Sequence, residues 1–131
     1  EKLLHEVTAD ESLLKKTLFD TEYAKVLIAE YNNEPAGMAL YFHSYSTFLG
    51  KPGIYLEDLY VKEKFRGLGL GKGLLKKLAE ICDENDFGRL EWSVLDWNKP
   101  SIDFYESLGA DSQDEWIKYR VTGDTLKKLS E

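Results

Sequence analysis

The chain has 131 residues, 43% hydrophobic and 31% charged, and this composition predicts one globular domain over residues 1–131 with a core of its own. No apolar run is long enough to span a membrane. The net charge of −7 argues against nucleic acid as the main partner, and it favours either a cationic substrate or simply an acidic cytoplasmic protein.

The first part of the chain predicts a helix and a β-hairpin. Leucines recurring on one face predict a helix over Ala9 to Phe19. Strands are predicted over Tyr23 to Tyr31 and Ala36 to Tyr45, because the residues between them, 32–35, contain two asparagines and a proline and are typical of a turn. A loop over Ser46 to Gly53 follows.

The next strand, Ile54 to Val61, contains a break in its alternation. Hydrophobic residues occupy one phase at positions 54 and 56 and the other phase at positions 59 and 61, and Glu57 and Asp58 lie at the change. A slip of one residue is what a β-bulge produces. Since carboxylates are poor strand formers, we expect this pair to have a function, although a solvent-facing polar pair would give the same pattern.

A glycine-rich segment connects this strand to a helix. It reads Arg66-Gly67-Leu68-Gly69-Leu70-Gly71-Lys72-Gly73. Glycines before a helix N-terminus let backbone N–H groups converge on an anion, most often phosphate. The spacing does not fit a Walker loop, because Arg66 stands where that motif has its first glycine and Gly73 stands where it has serine or threonine. The glycines also do not supply a Rossmann fingerprint in any register. What remains is Arg-x-x-Gly-x-Gly, and the alternative is a glycine-rich turn that binds nothing.

The second half of the chain alternates helices and strands. The predicted elements are a helix over Gly71 to Asp86, a strand over Arg89 to Asp96, a helix over Ser101 to Leu108, a strand over Trp116 to Val121 and a last helical turn over Asp124 to Leu129. Pro100 suits the first turn of its helix, Gly109 suits the position after it, and Thr122 is a candidate cap. The order predicts an α/β fold with a mixed sheet, in which the central strand–helix–strand unit pairs its strands in parallel.

Few residues of this chain suit nucleophilic or metal chemistry. Cys82 is the only cysteine, so no internal disulfide is possible, and its helical pattern with neighbouring leucines predicts a buried thiol rather than a nucleophile. His5 and His43 are the only histidines. Neither lies in a recognisable catalytic context, and no cluster of histidine and cysteine predicts a metal site.

Two motifs, one after the other along the chain, resemble sequence motifs of a known protein family. The Arg66 to Gly71 motif resembles the pyrophosphate loop of the Gcn5-related N-acetyltransferases (GNAT), which bind acetyl-CoA. The run from Val94 to Ala110 resembles the motif that follows this loop in the family, with Asn98, Phe104-Tyr105 and the ending Leu108-Gly109-Ala110 as its hallmarks. We therefore identify the chain as a member of this superfamily.

Within the superfamily, the chain is most similar to the diamine (spermidine/spermine) N-acetyltransferases. The similarity lies in Leu49-Gly50-Lys51, in the run Tyr55 to Val61 and in the run Asp96 to Tyr105. One departure is that the polyamine enzymes carry an acidic residue in the loop before Gly50, whereas the stretch Ser44 to Phe48 has no carboxylate.

The resemblance also implies a fold and an assembly. It implies a GNAT-like mixed, mostly antiparallel central sheet with a parallel, splayed strand pair and flanking helices, and a homodimer. The family opens with a strand and a helix that help to wall the acceptor site, and there is no room for both ahead of the strand at Tyr23. The resemblance therefore implies a domain in which this N-terminal strand and helix are missing.

The implied reaction, transfer of acetyl from acetyl-CoA to a primary amine, needs a base and an acid. A primary amine is mostly protonated at neutral pH, as a lysine side chain is. Glu57, at the predicted bulge, is our candidate base, acting through a water. By resemblance, Tyr105 would donate a proton to the departing thiolate. The usual pKa values of a phenol and a thiol lie within about two units, so this transfer is not steeply uphill.

The resemblance also assigns binding residues. The acceptor amine would be held by Glu57, Asp58, Glu91 and Trp92. The CoA arm would lie on backbone N–H groups of Leu59, Tyr60 and Val61, and the pyrophosphate on Arg66 and the amides of Gly67, Leu68, Gly69, Leu70, Gly71 and Lys72. Asn98 and Ser101 would line the other side of the cofactor.

The substrate favoured by the resemblance is a small primary amine, in particular a diamine or polyamine. An amino acid, a drug amine or a protein lysine is the alternative acceptor. A non-catalytic acyl-CoA-binding domain is the competing class of protein, and the presence of both Glu57 and Tyr105 argues against it. No metal or further cofactor is expected.

Overall fold

The computed structural model describes residues 10–131, which form two compact units that meet in sequence between Ser93 and Val94. The elements of the first unit are α1 (Glu11–Lys15), continued by a π-helical turn (Lys16–Asp20), β1 (Lys25–Tyr31), β2 (Glu34–Ser46), β3 (Lys51–Val61), a 3₁₀ turn (Glu63–Phe65), α2 (Leu70–Glu84) and β4 (Leu90–Trp92). The second unit contains α3 (Lys99–Ser107) and α4 (Gly123–Leu129). Ala9, the predicted start of the first helix, lies outside the described residues, and that helix begins after Asp10, whose side chain accepts from the Leu13 amide at 2.8 Å.

The first unit is built on a mixed sheet in the order β1-β2-β3-β4. β1 and β2 are antiparallel, as are β2 and β3, whereas β3 and β4 are parallel. The predicted α/β fold and its parallel strand pair are therefore confirmed. The parallel pairing is short, from Ile54 opposite Leu90 to Leu56 opposite Trp92. Beyond it β3 continues to Val61 while β4 has ended, so the two strands part.

The predicted bulge lies at this parting. Leu40 of β2 is in register with Asp58 and Tyr41 with Leu56, which leaves Glu57 as the extra residue of β3. The bulge shifts the inward phase from the buried Ile54 and Leu56 to the half-buried residues at positions 59 and 61. It therefore allows β3 to keep one face toward the core on both sides of the carboxylate pair.

The core lies between the sheet and α2. Its members are Ala36, Ala39, Tyr41, Ile54, Leu56, Leu74, Leu75, Leu78 and Cys82. The helical members recur at the spacing that places them on one face of α2. Cys82 is buried there, as predicted, and burial raises the pKa of its thiol, which disfavours the reactive thiolate.

Leu78 is fully buried, and we expect Leu78→Ala to destabilise the protein by about 2–5 kcal/mol through lost burial and a residual cavity. Chemical denaturation followed by circular dichroism measures this loss. Leu13→Ala is the matched control, since that leucine is 50% exposed and its truncation should change stability by roughly 0.5 kcal/mol or less. Equal losses in the two variants would contradict the assigned core.

Close backbone contacts fix the start of β4 beside β3. The Gly88 amide donates to the Pro52 carbonyl, and the Ile54 amide donates to the Arg89 carbonyl, each at 2.9 Å. A Cβ atom at Gly53 would lie only 2.8 Å from the Arg89 carbonyl oxygen, so the approach of the two chains requires glycine there. These contacts set the register that carries β4 to the bulge.

Three predicted segments differ from the structure. The loop predicted over Ser46 to Gly53 is shorter, because β2 continues to Ser46 and β3 already begins at Lys51. The strand predicted over Arg89 to Asp96 is confined to β4, because its pairing with β3 ends at the bulge. The strand predicted over Trp116 to Val121 is wrong for the described residues, in which this segment pairs with no strand. Alternation indicates one apolar face, but a strand also needs a neighbour to complete its hydrogen bonds.

The second unit is described by itself. Helix α3 begins before its predicted start, because the Asn98 side chain caps it by accepting from the Ser101 amide at 3.3 Å and Pro100 occupies its first turn. Gly109 follows α3 with φ +92°, as expected of a residue after a helix. Thr122 is at the N-cap of α4, although its side chain makes no capping hydrogen bond.

Candidate active site

The outer edge of β3 beyond the bulge carries backbone groups that pair with no strand of the described residues, although the Val61 carbonyl there accepts from Arg66 Nε at 2.9 Å. The Lys62 amide donates to the Ala36 carbonyl at 2.8 Å, which orients residue 62 toward β2. Because orientation alternates along an antiparallel strand, the backbone groups of Tyr60 also face β2, and those of Leu59 and Val61 face the opposite edge. No strand of residues 10–131 pairs with β3 there, since β4 ends at Trp92. An extended ligand could add to this edge as a strand would.

The glycine segment forms an open turn at the N-terminus of α2. Gly67 and Gly69 adopt φ of +82° and +83°, in the left-handed region that favours glycine. Gly69 is the N-cap of α2 and supplies no side-chain cap, so the first amides of the helix remain available to a ligand. A Cβ atom at either glycine would meet nothing within 4 Å. The turn is therefore open above its backbone, as the predicted pyrophosphate site requires.

The start of this turn is fixed to the β1–β2 hairpin. The Phe65 ring packs against Tyr31 with 5.5 Å between centroids, and the Lys64 ammonium lies 2.8 Å from the Glu34 carboxylate. The hydrogen bond from Lys64 lowers the pKa of Glu34. These contacts link the glycine turn to the rigid part of the sheet.

The four predicted acceptor residues lie around the point where β3 and β4 part. Glu57 and Asp58 are exposed at the bulge. Trp92 is opposite Leu56, the residue before Glu57, and Glu91 precedes it with its carboxylate 4.0 Å from Arg89. The sheet register therefore places the backbone of these four residues at one point of the sheet, with the Glu91 and Trp92 side chains on opposite faces of β4.

The second unit holds the remaining predicted site residues on one helix. Asn98 and Ser101 form the N-terminal cap of α3, and Tyr105 lies about one turn further on. Burial raises the pKa of the half-buried Tyr105 phenol. This phenol therefore stays protonated across the neutral range, as a proton donor must.

A side-chain hydrogen bond at the parting of the strands was not predicted. The Tyr55 hydroxyl and the Ser93 hydroxyl are 2.5 Å apart, and the Tyr55 ring stacks on Phe42 with centroids 5.2 Å apart. Tyr55 faces away from the core. The alternation of residues along β3 predicts this outward direction but not the hydrogen bond. The contact depends on the parallel register of β3 and β4, which no local pattern specifies.

The other residues considered from the sequence show no catalytic arrangement. His5 lies outside the described residues, and His43 is exposed with its ring edge-on to Phe87 at 5.4 Å. In the part of the chain that the structure describes, no group of three or more metal-ligating side chains is found. Across residues 10–131 no helix combines the length and apolarity needed to cross a membrane.

A splayed parallel pair, a bulge and a glycine turn at a helix N-terminus are the features that the sequence resemblance predicted. Residues 3–110 match the family model described as Acetyltransferase (GNAT) family, and the chain belongs to this family. The predicted enzyme class, an acetyl-CoA-dependent N-acetyltransferase, is thereby confirmed. Acetyl-CoA is the co-substrate that the family uses.

Curated and solved proteins agree with this assignment. The thialysine N-epsilon-acetyltransferase of Bos taurus is 37% identical over 142 residues, covering 99% of this chain and 83% of that protein. The spermidine/spermine N(1)-acetyltransferase-like protein 1 of Homo sapiens is 34% identical over 135 residues, covering 95% of this chain and 19% of that protein. An integron cassette protein from the mobile metagenome of V. cholerae superposes with a TM-score of 0.84 at 29% identity, covering 99% of this chain and 83% of that one. The predicted kinship with diamine N-acetyltransferases is confirmed.

Proposed function

We propose that this enzyme acetylates a primary amine of a small molecule that carries a second cationic group, with diamines and polyamines as the favoured class. The observation that carries the proposal is the Glu57-Asp58 pair, which is exposed at the bulge beside the unpaired edge of β3. An acceptor held by these carboxylates would lie next to a thioester bound along that edge. The two curated relatives support the proposal, because both are named for acetylation of a nitrogen atom in a small amine.

The proposed cofactor site has two parts in the first unit. The amides of Gly67 to Lys72, together with the Arg66 guanidinium, would hold the pyrophosphate of acetyl-CoA. The outward Val61 amide and Leu59 carbonyl would pair with the extended arm, while the Val61 carbonyl stays bonded to Arg66. The Leu59 amide would polarise the thioester carbonyl. The open turn and the unpaired edge fit a ligand with an anionic and an extended segment.

Three side chains would act in the reaction, as a general base, as a binding group for the cationic acceptor and as a general acid. Glu57 would accept a proton from the ammonium group through a water, so that the neutral amine attacks the thioester carbonyl. Asp58 would hold the second cationic group of the acceptor. Tyr105 would donate its phenolic proton to the thiolate as the carbon–sulfur bond breaks, and solvent would then reprotonate the phenolate. Most of the rate would come from holding amine and thioester together.

An acceptor panel tests the substrate class. Acetyl-CoA consumption is measured with putrescine, spermidine, thialysine, ornithine, simple monoamines and a lysine-containing peptide. The proposal expects the highest kcat/KM with acceptors that carry a second cation. Monoamines or the peptide outrunning these acceptors would overturn the substrate proposal.

Glu57→Gln is expected to lower kcat/KM by about 10²-fold at neutral pH, because removing a general base typically costs this much or more. The loss should shrink as the pH rises, since the amine then loses its proton to solvent without help. Initial rates across a pH series measure this convergence. Glu30→Gln, an exposed glutamate of β1, is the control and should follow the wild-type profile. A loss that is constant with pH would assign Glu57 a binding role instead.

We further propose that the chain works as a homodimer and that residues 1–131 form one acetyltransferase domain. The homodimer is supported by large apolar side chains in the second unit, where Trp116, Ile117 and Tyr119 are 68%, 76% and 89% exposed. Sedimentation equilibrium showing a monomer at micromolar concentration would overturn the dimer. Two separate unfolding transitions would overturn the single domain.

A cytoplasmic location remains a prediction, and the single cysteine of the sequence suits a reducing compartment.

A further inference from the structure

Two contacts restrain the Arg66 side chain beside the glycine turn. Its Nε–H donates to the Val61 carbonyl at 2.9 Å. Its guanidinium carbon lies over the Tyr60 ring, 5.7 Å from the centroid, which is within the range of a cation–π contact. Both contacts come from β3, although Arg66 itself belongs to the segment after the strand.

The backbone of Tyr60 is held in the sheet, and its ring lies beside Arg66. Tyr60 is in register with Met38, so its backbone belongs to the β2–β3 ladder and not to the unpaired edge. Its side chain is 49% exposed and is therefore not held for the sake of the core. A partly exposed ring on a rigid strand can orient a cation that would otherwise sample many rotamers.

The orientation of Arg66 determines which of its donors remain free for a ligand. The Nε–H donates to Val61, and within residues 10–131 the N–H groups of the two terminal nitrogens have no hydrogen-bond partner. Terminal guanidinium donors match the paired oxygens of a phosphate. A guanidinium that is already oriented loses less conformational freedom when the phosphate binds.

We propose that Tyr60 is a positioning residue for the acyl donor, whose ring holds the Arg66 guanidinium in the orientation that meets the pyrophosphate of acetyl-CoA. This inference rests on the proposed pyrophosphate site. It gives Tyr60 a role through its side chain, in place of the backbone role that the sequence suggested. The kcat/KM for acyl donors that lack a pyrophosphate should therefore not depend on Tyr60.

The opposite effect is the rival outcome. If Arg66 covers the Val61 carbonyl in a way that obstructs the arm of the cofactor, loss of the Tyr60 ring would release the guanidinium. Acetyl-CoA would then bind more tightly to the variant than to the wild type. The direction of the change therefore decides between a positioning and an obstructing contact.

The test compares two acyl donors in each of several variants. The kcat/KM for acetyl-CoA is divided by that for S-acetylpantetheine, which lacks the pyrophosphate and the nucleotide, and this ratio does not depend on the fraction of folded enzyme. We expect Tyr60→Leu to lower the ratio about threefold to fivefold, the size of an exposed cation–π contact. Tyr60→Phe retains a ring and should restore the ratio. Tyr45→Leu, a 65% exposed tyrosine of β2, is the matched control and should keep the wild-type ratio.

Each outcome has one reading. An unchanged or increased ratio in Tyr60→Leu, or a Tyr60→Phe variant as impaired as Tyr60→Leu, overturns the inference. If Tyr60→Leu fails to fold, Tyr60→Met replaces it, because methionine fills similar space without an aromatic face, and the ratio should again fall. If the wild type acetylates no amine, the proposed function fails. Calorimetric titration with CoA then tests the inference separately, with weaker binding to Tyr60→Leu expected.

Discussion

Tyr105→Phe is expected to lower kcat by at least about 10²-fold while leaving the KM for acetyl-CoA close to that of the wild type. The hydroxyl acts only when the thiolate departs, so its loss should affect the transition state and not the bound ground state. Steady-state kinetics at saturating amine measures both constants. Tyr119→Phe is the matched control, since Tyr119 lies in the same unit and is 89% exposed.

The pH dependence gives this prediction a second readout. Burial raises the pKa of Tyr105, so the protonated phenol that the reaction needs persists beyond the usual value of about 10. The contribution of Tyr105 to kcat is therefore present through the neutral range and is lost only as the pH rises through its raised pKa. In Tyr105→Phe this alkaline decline should be absent. A variant with wild-type kcat at every pH would show that Tyr105 only packs.

The bulge was predictable because it left a mark in the hydrophobic pattern. Apolar positions 54 and 56 and apolar positions 59 and 61 cannot share one face of a regular strand. The structure resolves the conflict by leaving Glu57 as an extra residue of β3 without a register partner in β2. The same pattern thus predicted both a fold feature and the place where two carboxylates reach the surface.

The glycine turn was predictable for a different reason. Only glycine adopts left-handed backbone at low cost, so glycines between a strand and a helix indicate where the chain must turn. Gly67 and Gly69 have this conformation. The contact of Arg66 with the Tyr60 ring was not predictable, since a motif fixes which residues are present but not the rotamers that long side chains adopt.

The two wrongly predicted strands show that a local hydrophobic pattern does not determine where a strand ends or whether it forms. The apolar phase of Leu90 and Trp92 continues to Val94, yet pairing stops at the bulge, which belongs to the neighbouring strand. Residues 116–121 also alternate, and the described chain supplies no strand beside them. Strand assignment depends on a partner that is distant in sequence, and this is why the helices were placed more accurately than the strand ends.

Gly69→Leu is expected to weaken CoA binding by roughly 10–100-fold, which is the loss of at least one hydrogen bond to a charged group. A leucine side chain would occupy the space above the turn that the pyrophosphate needs. Its Cβ would meet no protein atom within 4 Å, so the fold should survive at a cost of about 1–3 kcal/mol for the left-handed backbone. Calorimetric titration with CoA and thermal unfolding of the same sample measure affinity and stability together.

Gly50→Leu separates the two effects of this substitution. Gly50 has φ +65° in the β2–β3 turn, and a Cβ there also meets nothing within 4 Å. The backbone strain should therefore be similar at the two glycines, while only Gly69 lies at the N-terminus of α2. We expect both variants to lose similar stability and only Gly69→Leu to lose CoA affinity. Unchanged affinity in Gly69→Leu would refute the pyrophosphate site, and equal losses of affinity would attribute the effect to strain.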